Sequence, residues 1–464
     1  MSDLSVDSTA RELADAVRSR RISARELLDL HLDRIAQLNP ELNAIVSLDE
    51  ERAREGAAAA DQHLASGSPV GPLHGLPHAF KDTHAVAGWR TTYGSPLYAE
   101  HVPDADDLVV ERIRRAGVVV LGKTNVPEFA AGSHTFNPVF GTTRNPADPT
   151  RSAGGSSGGA ACALAAGMVP LADGSDMGGS LRNPASFCGV VGLRPSLGRV
   201  PSWPTDNLWE TTSVSGPMGR TVGDVALLLS VLAGPDARVP TALGDPGPMF
   251  APPVIGSLRG LRAAWSPDLG GAFEIDAEVK GVLENAGRAF AHAGARVFGD
   301  HPDLRGADET FRTLRAWSFQ ARFGSLLAER PDAFKSSLAD NIRAGERLTG
   351  ADVARAYAQR TALADAMRQF FQSYDVLLLP VSQVPPFPAD QEYPTEINGR
   401  PMETYLDWMR SSYLITVTGC PAISVPAGTT PAGLPVGVQM VAPHGADRFL
   451  LGVAAAFEAV RLAQ

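Results

Sequence analysis

Three serines and one lysine are the residues of this sequence best suited to chemistry. Ser156 and Ser157 stand between paired glycines in GGSSGG (154–159), and Ser180 closes a second glycine turn in DMGGS. Lys81 ends the stretch LPHAFK, directly after Ala79 and Phe80. Glycines at such turns permit positive φ and let backbone N–H groups approach a ligand closely. N–H groups presented this way form an oxyanion hole, which contributes about 3–4 kcal/mol per donor to the transition state of acyl transfer. A serine hydroxyl is a poor nucleophile until a base takes its proton. Neither glycine motif contains a histidine. The alternative base is a desolvated lysine, whose pKa burial lowers by several units.

Lysine is scarce in this chain. Lys and Arg together number 41, yet lysine stands only at Lys81, Lys123, Lys280 and Lys335. Arginine does not lose its proton in proteins, so a lysine in apolar surroundings is informative here. None of the four is preceded by serine in a Ser-x-x-Lys arrangement, so a base for these serines has to come from a distant segment.

The same motifs admit other readings. GVVVLGKT (117–124) matches the phosphate-binding pattern Gly-x4-Gly-Lys-Thr, whose intervening amides must curl around phosphate. Val118 to Leu121 read instead as a buried strand, which argues against nucleotide binding, and Lys123 reads as a structural turn residue. GSSGG (155–159) matches the Gly-x-Ser-x-Gly elbow of Ser-His-Asp hydrolases and would nominate Ser157, with His74 or His78 as partner. An elbow follows a buried strand, whereas the polar loop TRNPADPTRSAG precedes Gly155. A purely structural glycine turn stays open on these residues alone; a flexible linker is excluded by its shortness.

The elements that must position these residues alternate between helix and short apolar strand. Residues 7–60 repeat apolar positions at helical spacing behind Asp and Ser starts. Strands are expected within GPLHGLPHAFKD (71–82), AGVVVLGKT (116–124), VPLADGSD, LRAAWSPD, ARVFG, DVLLLP and AISVPAG (422–428). Helices are expected from GGSSGG through AACALAAG, over TVGDVALLLSVLAG (221–234), AEVKGVLENAGRAFAHAG, 307–329, 351–373 and DRFLLGVAAAFEAV. The pattern predicts an α/β fold: one large domain over 1–464, with a mixed, mostly parallel twisted sheet covered by helices on both faces. Within it, 1–60 forms N-terminal helices and 61–464 the core, with insertions near 197–212 and 307–410 shaping a substrate pocket.

Composition narrows the function classes. A net charge of −10 argues against a general nucleic-acid or anionic-membrane binder. The first residues lack the apolar core of a secretory signal, and no run approaches the roughly 18–20 apolar residues of a membrane span. Cys162, Cys188 and Cys420 lie far apart in apolar surroundings without metal-ligand spacing. A cytoplasmic location is the expectation, with no metal, no organic cofactor and no nucleic-acid partner. The oligomeric state stays open between monomer and homodimer.

GPLHGLPHAFKD, GGSSGGAACALAAG, DGSDMGGSLRNPASFCGVVGLRPSLGRVP and GCPAISVPAG together resemble the amidase signature family, in the family's order and over roughly residues 60–460. That family includes fatty-acid amide hydrolases, peptide amidases, aryl acylamidases, malonamidases and the A subunit of tRNA-dependent amidotransferases. The resemblance implies a Ser–cis-Ser–Lys triad. Ser180 corresponds to the nucleophile, Ser156 to a bridging serine that follows Gly155 through a cis peptide, and Lys81 to the base. It also implies an oxyanion hole built from the N–H groups of Met177, Gly178, Gly179 and Ser180. Ser157 is expected to cap the following helix, and Asp176 and Arg182 to brace the turn.

The implied reaction is hydrolysis of small-to-medium aryl or alkyl amides and anilides through an acyl-enzyme, with esters and carbamates (urethanes) sharing the same carbonyl chemistry. Trp203, Trp209, Trp317, Tyr405 and Trp408 are candidates to line the pocket, with Phe319 and Met409 beside them. The alternatives are the glutaminase subunit of a tRNA-dependent amidotransferase, from whose pattern DNLWETTSVSGP departs, and the Ser-His-Asp hydrolase.

Overall fold

Short apolar strands separated by amphipathic helices build the molecule around one sheet. The computed structural model describes residues 4–463, so the outermost positions of the predicted 1–464 domain lie outside the described residues. The strands, in chain order, are β1 (Pro77–Lys81), β2 (Val119–Thr124), β3 (Phe136–Asn137), β4 (Gly141–Thr142), β5 (Leu171–Asp176), β6 (Val191–Arg194) and β7 (Val214–Gly219). They continue with β8 (Arg262–Trp265), β9 (Arg296–Gly299), β10 (Val376–Pro380), β11 (Glu396–Ile397), β12 (Arg400–Pro401), β13 (Ala422–Thr429) and β14 (Pro435–Val441). Eight of them form the sheet β5-β7-β6-β13-β14-β10-β8-β9. Helices flank it, as expected for α/β.

The sheet is mixed, but its balance differs from the expectation of mostly parallel strands. Only β10–β8 and β8–β9 pair parallel; the five neighbours from β5 to β10 pair antiparallel. The expectation missed β6, β7 and β14, whose glycines and prolines (VGLR, VSGPMG, PVGVQMV) dilute the apolar run that marks a buried strand. These three reverse the chain direction. At β13–β14 the chain returns through Thr430–Leu434, where Gly433 has φ +81° and its N–H donates to Thr430 O.

The N-terminal helices are Ala10–Arg18, Ala24–Leu42 and Glu50–Ala65; the first two lie on the periodic stretches, and the third runs past the expected boundary at residue 60. The first two open with capping boxes, Thr9 with Glu12 and Ser23 with Glu26, each contributing about 1 kcal/mol. Among the described residues no helix is long and apolar enough to cross a membrane. β1 and β2 pair parallel beside β5, and β1 is tied to β5 where the Lys81 N–H donates to Asp173 Oδ2 at 3.3 Å. The glycine loop 154–157 then leads into the fully packed helix Gly158–Ala165. A Cβ on Gly159 would stand 2.3 Å from Asn125 N, so only glycine lets this helix approach so closely.

Candidate active site

Lys81 ends β1 fully buried, and its amine is surrounded by hydroxyls rather than carboxylates. Nζ donates to Ser156 Oγ at 2.9 Å, Ser157 Oγ at 2.9 Å and Ser175 Oγ at 3.0 Å. Among the described residues it has no salt-bridge partner. An ammonium would donate to all three oxygens, whereas the neutral amine donates to two and accepts from the third. Burial pushes the Lys81 pKa down to about 7 against the pull of the Asp173 and Asp176 carboxylates. The amine is thereby poised as a base near neutrality.

The two adjacent serines share this amine. The Gly155–Ser156 peptide is cis, as the resemblance implied. Ser157 does occupy the N-cap position, but its side chain makes no cap hydrogen bond because its Oγ faces Lys81 instead. The Ser157 N–H donates to Ser180 O at 3.2 Å, which joins the two glycine turns. Ser156 and Ser180 border the same cavity; their hydroxyls are not hydrogen-bonded to one another.

The turn after β5 is held from beneath. Asp176, fully buried, accepts from Arg182 Nε and Nη2 at 3.0 and 2.8 Å, from the Gly179 N–H at 3.0 Å and from the Leu181 N–H at 3.1 Å. Arg194 adds a second cation at 3.3 Å. Burial opposes its ionisation, but the guanidinium groups of Arg182 and Arg194 outweigh this and hold its carboxyl well below the usual carboxylate range. Asp176 and Arg182 therefore brace the turn as expected. Gly179 differs from expectation: its N–H points to Asp176, which leaves Met177, Gly178 and Ser180 as the turn's unpartnered donors. Gly179 has φ +109°, and a Cβ there would meet Ser412 Cβ at 2.6 Å.

Removing this carboxylate leaves two buried cations uncompensated. Asp176→Ala should lower unfolding free energy by about 3–5 kcal/mol, measured by urea denaturation. A loss below about 1 kcal/mol would show that the turn is held by other means.

Above the serines opens a cavity of about 700 Å³. Of the five aromatic candidates, only Trp203 lines it, together with Phe319 and Met409. Trp209 is exposed: its neighbours Asp206, Asn207, Leu208 and Glu210 line the cavity, and the Trp209 ring is turned to solvent. Trp317 points away from the cavity and meets Tyr357 edge-on. Trp408 is packed in the core between Phe187 and Phe387, and Tyr405 lies behind the wall, where its hydroxyl accepts from Arg315. The lining rings the sequence reading missed are Tyr93, Phe129 and Phe323. Trp203→Ala should raise KM for an aryl amide about tenfold, equivalent to roughly 1.4 kcal/mol of lost apolar contact, with a smaller change in kcat. An unchanged KM in steady-state kinetics would remove Trp203 from the binding wall.

The competing readings fail on geometry. Val119 to Leu121 lie within β2, where Val119 and Val120 pair with β1, and Lys123 belongs to the same strand rather than to a turn and is buried against Thr91 Oγ1 at 3.1 Å, so no phosphate loop exists there. His74 bonds the Ala60 carbonyl, far from Ser157 in role and setting. His78 Nε2 and His84 Nδ1 instead meet the buried Asp173 carboxylate, at 2.9 and 2.6 Å. The nearest approach to a Ser-His-Asp arrangement runs from Asp173 through His84 to Ser215 Oγ at 3.4 Å, but Ser215 lies inside a paired strand rather than on a glycine turn.

Residues 26–451 match the Amidase family. An acylamidase of Rhodococcus erythropolis is 39% identical, with 98% of this chain and 95% of that protein covered. The chain belongs to the amidase signature family. A solved bacterial aryl acylamidase of the amidase signature family superimposes with a TM-score of 0.91 at 31% identity, covering 98% of this chain and 96% of that one. The A subunit of a glutamyl-tRNA(Gln) amidotransferase from a Synechococcus species is 35% identical over 97% of this chain and 96% of its own length. Amidase and acylamidase relatives together support an amidohydrolase.

In this amidase signature chain the sequence reading also missed Ser175 and Asp173. A signal was present: LADGSD is strand β5, where positions 173 and 175 share a face and position 176 takes the other. One face gives Lys81 a hydroxyl and a distant carboxylate. The other gives Asp176 to Arg182.

Proposed function

We propose that this chain is a serine amidase that cleaves the C–N bond of small-to-medium aryl or alkyl carboxamides and anilides, with esters and carbamates as further substrates. The observation that carries this reading is the buried Lys81 amine 2.9 Å from Ser156 Oγ, at the edge of a cavity that also receives Ser180. Neutral Lys81 takes the proton of Ser156 as Ser156 takes that of Ser180. Ser180 Oγ attacks the carbonyl carbon, and the N–H groups of Met177, Gly178 and Ser180 hold the resulting oxyanion. The proton returns through Ser156 to the leaving nitrogen, the C–N bond breaks and the amine departs. Water then attacks the ester on Ser180 with the relay reversed, releasing the carboxylic acid. The Ser156–Ser180 contact tightens when substrate fills the cavity, as catalytic hydrogen bonds generally do.

A panel of amides, anilides, esters and carbamates assayed with the purified protein tests the reading. Anilide turnover that Ser180→Ala abolishes supports it, and full turnover by a folded Ser180→Ala protein overturns it. The 35% identity to an amidotransferase A subunit supports a second reading, a glutaminase acting with partners. Hydrolysis of glutamine in preference to every anilide would favour that reading.

A further inference from the structure

Arg315 projects from the helix Ala307–Glu329 into the wall of the catalytic cavity and is only 3% exposed. Among the described residues its guanidinium meets no carboxylate. Nη2 donates to Tyr405 Oη at 2.8 Å, Nη1 lies 3.1 Å from Met177 Sδ, and the Phe319 ring packs 4.1 Å beneath the cation. Nε has no partner. The other deeply buried arginines are arranged differently. Arg182, Arg194 and Arg199 each reach an aspartate, and Arg360 donates to three oxygens of Thr211 and Val417.

A second cation stands nearby, itself paired with Glu392 at 3.8 Å. Lys335, itself largely buried, stands over the same Tyr405 ring at 5.7 Å. The carboxylates that line the cavity, Asp107, Asp206 and Glu210, belong to other walls, and none forms a salt bridge with Arg315. A guanidinium held on an aromatic face with donors to spare presents the fork that recognises a carboxylate bidentately. Arg315 touches the Met177 side chain and lines the same cavity as Met177, Gly178 and Ser180 of the proposed oxyanion turn.

We propose that Arg315 forms a carboxylate-binding subsite of the cavity, so that amides bearing an anionic group are bound in preference to their neutral isosteres. The proposal rests on the amidase reading for its substrate class, and binding is tested without turnover. In the Ser180→Ala protein, calorimetry compares succinic mono-anilide with 4-oxopentananilide, which carries the charge on the acyl side, and 4-acetamidobenzoate with 4-acetamidoacetophenone, which carries it on the amine side. The expected result is at least tenfold tighter binding of the carboxylate in one of the two pairs, a preference that added salt weakens. Arg315→Met should bring that ratio close to one, and Arg315→Lys should restore part of it. Equal or tighter binding of the neutral ketone in both pairs overturns the proposal, as does a ratio that Arg315→Met leaves unchanged. Should Arg315→Met not fold, the Ser180→Ala ratios and their salt dependence decide alone. A retained ratio in a protein whose wild type hydrolyses no amide would sink the amidase reading and leave the subsite standing.

Discussion

Replacing Ser180 by alanine should lower kcat for anilide hydrolysis by about four to six orders of magnitude, the size of loss seen when a nucleophile is removed from a serine hydrolase relay. The fold should be indifferent to the change. Ser180 Oγ borders open cavity and makes no hydrogen bond that the packing depends on, so the unfolding midpoint should stay within about a degree or two. On the proposed mechanism Ser156 acts only by passing the proton of Ser180, so a double Ser156→Ala/Ser180→Ala protein should be no slower than Ser180→Ala alone. Stopped-flow or long-time-course assays with a chromogenic anilide measure turnover by Ser180→Ala, by Ser156→Ala and by the double variant, and thermal denaturation measures the unfolding midpoint. Losses that multiply in the double variant would mean that the two serines act independently.

The Lys81 amine should set the pH dependence. Its pKa in the folded chain is lowered to about 7 by burial, so below that value it is an ammonium and cannot accept the proton of Ser156. The ratio kcat/KM should therefore rise with pH, level off above about 7 and fall about tenfold per unit on the acid side. Lys81→Arg should be inactive at every accessible pH, since a guanidinium does not deprotonate. Stability moves in the same direction. Between about 7 and the ordinary lysine value near 10.5, the unfolded chain holds a proton at this position that the folded chain does not. This group's contribution to stability therefore rises with pH across that window and is least favourable below it. Lys81→Met, which keeps the volume and removes the buried amine, should raise the unfolding midpoint at neutral pH while abolishing turnover. A flat pH profile in the wild type, or an active Lys81→Arg protein, would mean that another group is the base.

Local features were legible in the sequence because they depend on residues close together. The glycine turns, a strand within 71–82 and the N-terminal helices follow from spacing and residue type, while the bracing of the turn by Asp176 and Arg182 came with the family resemblance. The direction of strands was less legible. Pro217 and the glycines of VSGPMG disguise β7 as a loop, and with it the antiparallel half of the sheet. Pocket aromatics were the least legible. Trp408 and Trp203 have the same chemistry, and only the tertiary course of the chain buries one between Phe187 and Phe387 while opening the other to the cavity. Gly179 shows the same limit on a smaller scale: its position in the turn was evident, but the direction of its N–H depends on where Asp176 sits.

Acyl transfer to Ser180 is tested most directly by trapping it. An activated ester or fast anilide mixed with the protein, quenched in acid within the first turnovers and digested, should yield an acyl adduct on the peptide containing Ser180, absent from Ser180→Ala. An adduct found instead on Ser156, Ser157 or Ser215, or steady hydrolysis by Ser180→Ala, would contradict the account.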